Sequence, residues 1–108
     1  MKYDGPLELL KQNATDVAKH MRVLAHRDRL IMLCRMSDGE VSVGELVELT
    51  GLSQSAVSQH LAMLREAGAV ESRAQAQTRL YHVADKQMEK IIGALCIAFA
   101  PTNGDEAA

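Results

Sequence analysis

The first apolar residues along the chain recur with a helical step. From Pro6, a residue suited to a first helical turn, Leu7, Leu10, Ala14, Val17, Met21 and Leu24 follow one another at alternating spacings of three and four. This a/d seam predicts a helix over 6–24. Such a stripe serves either the chain's own core or pairing with a second subunit. A second helix is expected from Ala25 or His26 to Met36, with Leu30, Leu33 and Cys34 on one side. Ser37-Asp38-Gly39 ends it, with glycine free to take a left-handed stop.

Ser42-Val43-Gly44-Glu45 is a capping-box pattern, in which hydroxyl and carboxylate each satisfy the other residue's amide. It predicts a short helix over 44–50, closed by Gly51. Ser53 then caps a helix over 54–67, stopped by Gly68. Two helices joined by the tight link Gly51-Leu52-Ser53 read as a helix-turn-helix, spanning 44–67. Residues 69–73 alternate apolar and polar, 74–77 form a polar turn, and 78–83 alternate again. This predicts a β-hairpin over 69–83. A last helix is expected over 85–100, capped by Asp85, with Met88, Ile92, Leu95 and Phe99 forming its apolar face and Ile91 and Cys96 beside it. Pro101 ends it, and 101–108 reads as a disordered tail. The order α-α-α-α-β-β-α, mainly helical with one small hairpin, is a winged helix-turn-helix in a single domain over 1–100.

Composition sharpens this picture. Across 108 residues, hydrophobic residues are 47% and charged residues 24%, the balance of one folded domain. Aromatic residues are 3%, so the core must be aliphatic. The longest apolar run, Ala94 to Ala100, is too short for a membrane span. An opening that carries Asp4 and Glu8, with no apolar stretch, gives no secretory signal. With two cysteines, this points to a reducing cytoplasm. The net charge of −2 hides a polar distribution. Lys19, Arg22, Arg27, Arg29 and Arg35 crowd one segment, and Asp38, Glu40, Glu45 and Glu48 the next, so a basic face can coexist with an acidic total.

The helix over 54–67 carries the candidate chemistry. Val57, Leu61 and Leu64 share one face. Ser55, Ser58, Gln59 and Ala62 share the opposite one, with Gln54 and Arg65 at its flank. Glutamine can present a bidentate amide to an adenine edge, serine can donate or accept, and small side chains allow close approach to a groove floor. The free amides at Ser53, Gln54 and Ser55 can receive a phosphate oxygen. On an isolated helix these residues read as solvated polar groups. Behind a turn and ahead of a basic wing, they read as a DNA-recognition surface, with His60 included. Arg73 and Arg79, flanking a tip that holds Gln77, can reach phosphates or the minor groove. Their bland role is solubility and cross-strand pairing with Glu71.

The stretches LAHRDRLIML, VSVGELVELTGLSQSAVSQHLAMLREAGAV and TRLYHV together resemble the ArsR/SmtB family of winged-helix transcriptional repressors. The resemblance spans 19–100, and its run SQSAVSQHL is similar to the non-metal NolR/HlyU/BigR/SqrR subgroup. It implies a homodimer built from the helices at 6–24 and 85–100. It also implies operator DNA with an inverted repeat, read by one recognition helix in each of two successive major grooves about 34 Å apart.

What signal such a regulator reads is narrowed by its residues. Ser42-Val43-Gly44 stands where one family metal site has Cys-x-Cys, and no histidine follows His82 in the last helix. The four histidines, 20, 26, 60 and 82, lack ligand spacing. No metal and no cofactor is expected, and His26 and His60 read as surface or helix-end groups. The methionines read as core filler. Cys34 matches the first sensing cysteine of the BigR/SqrR type. The resemblance puts the second near Ala100, one helical turn beyond Cys96 on the same face. A bridge between Cys34 and Cys96, made by an oxidant or reactive sulfur, would lock the second helix to the last and release DNA. It needs Cα atoms within about 7 Å, and thiolate character aided by Arg27 or Arg35. The alternatives are two thiols packed as small hydrophobes and a constitutive repressor with no inducer. No nucleophile, base and acid constellation marks an enzyme, thiol oxidoreductase being the nearest reading. A protein-binding winged helix would need an apolar patch that 54–67 lacks.

Overall fold

A computed structural model of the chain describes residues 5–100; the expected tail over 101–108 lies outside the described residues. Helix α1 (Pro6–Leu24) is followed by α2 (Arg27–Ser37), a short strand β1 (Val41–Ser42), α3 (Val43–Thr50), α4 (Gln54–Glu66), the strands β2 (Val70–Gln75) and β3 (Thr78–Val83), and α5 (Lys86–Phe99).

Local chemistry sets the boundaries. The His26 Nδ1 accepts the Asp28 amide at 3.1 Å and caps α2. Ser42 and Glu45 form the reciprocal capping box of α3, and the Ser42 amide leads the contacts that hold the Glu45 carboxyl below its ordinary pKa. Gly51 takes the left-handed conformation, φ 76°, that turns the chain from α3 into α4. Ser53 caps α4 through the Ala56 amide, and Asp85 caps α5 through the amides of Gln87 and Met88.

The sheet differs from the expected lone hairpin. Val41 and Ser42 pair antiparallel with Tyr81 and Leu80, so β1 makes a third strand and the order is β1-β3-β2. Two residues are too few to show alternation in a sequence. The hairpin tip is also shorter than expected: Gln75 pairs with Thr78, leaving only Ala76 and Gln77 between the strands. Ala76 takes the positive φ of 55° that the tight turn demands.

The core is aliphatic. Met32, Leu33 and Met36 of α2 pack with Leu46 of α3, Val57, Leu61 and Leu64 of α4, Val41, Tyr81 and Val83 of the sheet, and Met88 and Ile92 of α5. Helix α1 joins this core only at its end. Leu24 is buried and Val17 half-buried, but Leu7, Leu10, Ala14 and Met21 of the a/d seam are exposed. Arg29 closes the α1 C-terminus by donating from Nε to the Val23 carbonyl at 2.8 Å. His20 fastens α1 to the start of α5. Its Nε2 stands 2.8 Å from Asp85 Oδ2 and its Nδ1 2.8 Å from the Asp16 carbonyl. A ring with an acceptor at each nitrogen favours the doubly protonated form. The carbonyl of Asp16 foremost, then Asp85, therefore raises the His20 pKa against the opposing effect of burial.

Candidate nucleic-acid interface and thiol pair

Helix α4 is divided sharply by burial. Val57, Leu61 and Leu64 are at most 1% exposed, anchoring one face in the core. Gln54, Ser55, Ser58, Gln59, Ala62 and Arg65 are all exposed on the remainder. Burial of the anchor face fixes the helix's rotation about its own axis, so a short polar ridge is presented outward. The α3–α4 turn is braced from within: Thr50 Oγ1 donates to the Leu46 carbonyl at 2.8 Å and accepts the Leu52 amide at 3.2 Å. Ser53 is exposed, but its hydroxyl is already engaged as the α4 cap at 3.1 Å.

Two residues assigned to the DNA face are engaged by partners within the chain. His60 is half-buried and turned toward α2, its ring centroid 4.7 Å from that of His26 and inclined at 64°. Burial foremost, then His26 and Arg29, push its pKa below the ordinary histidine value, with Asp28 opposing. It belongs to the α2–α4 junction rather than the outer ridge. Arg73 is held by Glu40, with Nε and Nη2 donating to the two carboxylate oxygens at 2.6 and 2.8 Å. This fork-on-fork pair replaces the expected pairing with Glu71, which lies 3.7 Å from His82 instead. Hydrogen bonding from Arg73 holds the Glu40 carboxyl below its usual range.

The register explains the wing. Arg73 is opposite Leu80, and Ala74 opposite Arg79. Side chains alternate along a strand, so the two arginines lie on opposite faces of the hairpin. Arg79 shares the face of Tyr81 and Val83 and donates from Nε to Ser72 Oγ at 3.1 Å. Gln77, at the tip, is exposed. Sequence reasoning missed Glu40 as a wing partner, and it gave Arg73 and Arg79 one shared role that the register divides.

The cysteines come together. Cys34 Sγ of α2 and Cys96 Sγ of α5 are 3.4 Å apart, both as free thiols, Cys34 half-buried and Cys96 exposed. The hydrogen bond to Cys96 foremost, then burial, pushes the Cys34 thiol above its ordinary pKa. The expected guanidinium help is not there. Arg27 pairs with Asp28 at 2.9 Å, and Arg35 reaches the Gly39 and Glu40 carbonyls and Glu45.

A turn-linked helix pair with an outward polar ridge, followed directly by a β-hairpin that carries Arg79 near its tip, defines a winged helix-turn-helix DNA-binding protein. Residues 26–72 match the family described as bacterial regulatory protein, arsR family. The chain is 39% identical over 94 residues to the biofilm growth-associated repressor of Agrobacterium fabrum, covering 87% of this chain and 80% of that one. Its fold is similar to the crystal structure of the transcriptional repressor BigR from Xylella fastidiosa, with a TM-score of 0.83, 33% identity, and coverage of 91% of this chain and 100% of that one. It is likewise similar to reduced HlyU from Vibrio cholerae, with a TM-score of 0.79, 36% identity, and coverage of 86% and 98%. The chain therefore belongs to the arsR family of bacterial regulatory proteins, and is a DNA-binding transcriptional regulator.

Proposed function

We propose that two copies of this chain repress transcription by clasping an inverted-repeat operator, and that joining Cys34 to Cys96 releases it. The observation that carries the release step is the 3.4 Å approach of two free sulfurs on different helices. Pairing is supported by the apolar surface that a single chain leaves bare. Leu7 and Leu10 of α1 are more than half exposed, and Ile97 and Phe99 of α5 are 81% and 83% exposed. A second copy covering α1 and α5 would set two α4 ridges about 34 Å apart, one in each successive major groove. Gln59 and Gln54 would read base edges, and the amides at the α4 start would take phosphate, with Ser55, Ser58, Arg65, Gln77 and Arg79 flanking them.

Peroxide can take two electrons and two protons from the thiol pair, leaving one S–S bond and two waters; a polysulfide can leave a longer sulfur bridge. Either product ties α2 to α5. Because Cys96 neighbours the bare α5 surface, the bond acts where the paired copies would meet, and it would alter the separation of the two ridges. The chain acts in this reading as a switch on DNA, not as a catalyst.

A second reading, a repressor with no inducer, is favoured by the raised pKa of Cys34, which slows attack by a thiolate. One titration separates the two. Binding to an operator duplex is followed by fluorescence anisotropy with the protein reduced, and after peroxide or polysulfide. Release in the wild type and none in Cys34→Ser supports the switch. Unchanged affinity in both overturns the thiol switch in favour of the inducer-free reading, and equal affinity for operator and scrambled DNA overturns the recognition surface.

A further inference from the structure

His26, Asp28 and His60 converge where α2 begins and α4 passes over it. One ligand atom from each lies within 4.8 Å of the other two. The rings are already in edge contact. We propose that this junction is a binding site for a first-row divalent transition ion of the zinc, cobalt or nickel type.

Two imidazoles and one carboxylate form a donor set of intermediate softness, suited to these ions and unsuited to magnesium or calcium, which need oxygen. Donors about 2.1 Å from one tetrahedral ion stand about 3.4 Å apart, so closure asks for small side-chain rotations. The side chains have room to make them: His26 is exposed, and Asp28 and His60 are half-buried. The carboxylate can contribute Oδ2, since the Arg27 contact is to Oδ1. His26 has a second duty, because its Nδ1 accepts the Asp28 amide. If the ion takes Nε2, the ring proton moves to Nδ1 and the amide is released; if it takes Nδ1, it displaces the amide directly. An ion therefore replaces the α2 cap with a link from α2 to α4, the helix that carries the polar ridge. The guanidiniums of Arg27 and Arg29 lie close by and weaken the attraction for a cation. Three protein donors leave a fourth position for water. The thiol pair lies elsewhere, between α2 and α5, and takes no part.

The test uses full-length protein carrying Cys34→Ser and Cys96→Ser, stripped with a chelator and titrated with Co(II). The expected result is one ion per chain, visible ligand-field bands, and no thiolate-to-cobalt charge-transfer band. Adding His26→Asn, which keeps a helix-capping side chain but removes the imidazole, should weaken binding about tenfold or more, and His60→Gln should do the same. Far-ultraviolet circular dichroism checks each variant; if His60→Gln unfolds, the exposed His26 carries the test. Binding that survives His26→Asn overturns the site. So does the absence of bound cobalt in the chain whose cysteines are replaced.

Discussion

Oxidation of the native protein should produce one intrachain bond and a large gain in stability. Cys34 and Cys96 are separated by 62 positions along the chain and 3.4 Å in space. A disulfide needs the sulfurs at about 2.05 Å, so they must close by roughly 1.4 Å, within reach of small side-chain rotations. Closing a loop of this length removes about 14 cal/mol/K from the unfolded chain, or about 4 kcal/mol at 25 °C if the native state takes up no strain. For a domain this size the urea slope is about 2 kcal/mol/M, so the unfolding midpoint should rise by about 2 M. The assay compares reduced and diamide-treated protein at one fixed protomer concentration, since association also shifts the midpoint. Non-reducing electrophoresis reports which bond formed. A ladder of cross-linked chains would refute the geometry, because it would mean that the exposed Cys96 meets another molecule before Cys34. An intrachain bond with no rise in midpoint would refute the energetic reasoning.

Gln59→Ala should lower operator preference by about 1–3 kcal/mol for each base edge the amide reads, leaving non-specific binding unchanged, as measured by competition with scrambled duplex. Arg79→Ala should reduce the slope of log affinity against log salt by about 1, whereas Arg73→Ala should leave it nearly unchanged. Glu40→Gln should steepen it by freeing Arg73. Ser53→Ala should cost about 1 kcal/mol of folding stability in a urea titration through removal of the α4 cap. The His20–Asp85 tie should give a pH-dependent term. His20 has a raised pKa, so its share is complete below about pH 6.5 and fades as pH climbs through the folded value. Burial pushes the Asp85 pKa up, but the His20 bond and the Gln87 and Met88 amides together bring it below normal. Its share is therefore complete above about pH 4 and fades as pH falls through the folded value. The stability gap between wild type and His20→Gln should be widest between about pH 4 and 6.5, and a gap that grows toward pH 9 would reverse the assignment.

The helices were legible because their signals are repeated and local: a row at three-and-four spacing in α1, a serine–glutamate box at α3, and serine and aspartate caps at α4 and α5. Strand β1 was not, because Val41 and Ser42 become a strand only by meeting Tyr81 and Leu80. The wing was half legible. The hairpin and its two arginines were visible, but the register that puts Arg73 and Arg79 on opposite faces was not, and nothing local marks Glu40 as the acid that holds Arg73. The outer ridge of α4 followed from helix period alone, and His60 was misplaced because its partner, His26, is remote in sequence. Spacing along the chain shows ligands only when they share one element, so the same histidines gave no metal signature. For the thiols, the family resemblance puts a sensing position near Ala100. The approach of Cys96 to Cys34 depends on how α5 crosses α2, which no single segment encodes.

If two copies pair as proposed, the bare apolar row of α1 makes abundance a physical variable for this regulator. In the proposed pair, oily surface shielded by a companion would tie the folding of each copy to how many copies surround it. The melting temperature should climb with protein concentration, and on dilution the population should lose mates before it loses helices. A cell making few molecules would then hold mostly solitary ones, each carrying half a grip, and modest extra synthesis would raise promoter occupancy more steeply than in simple proportion.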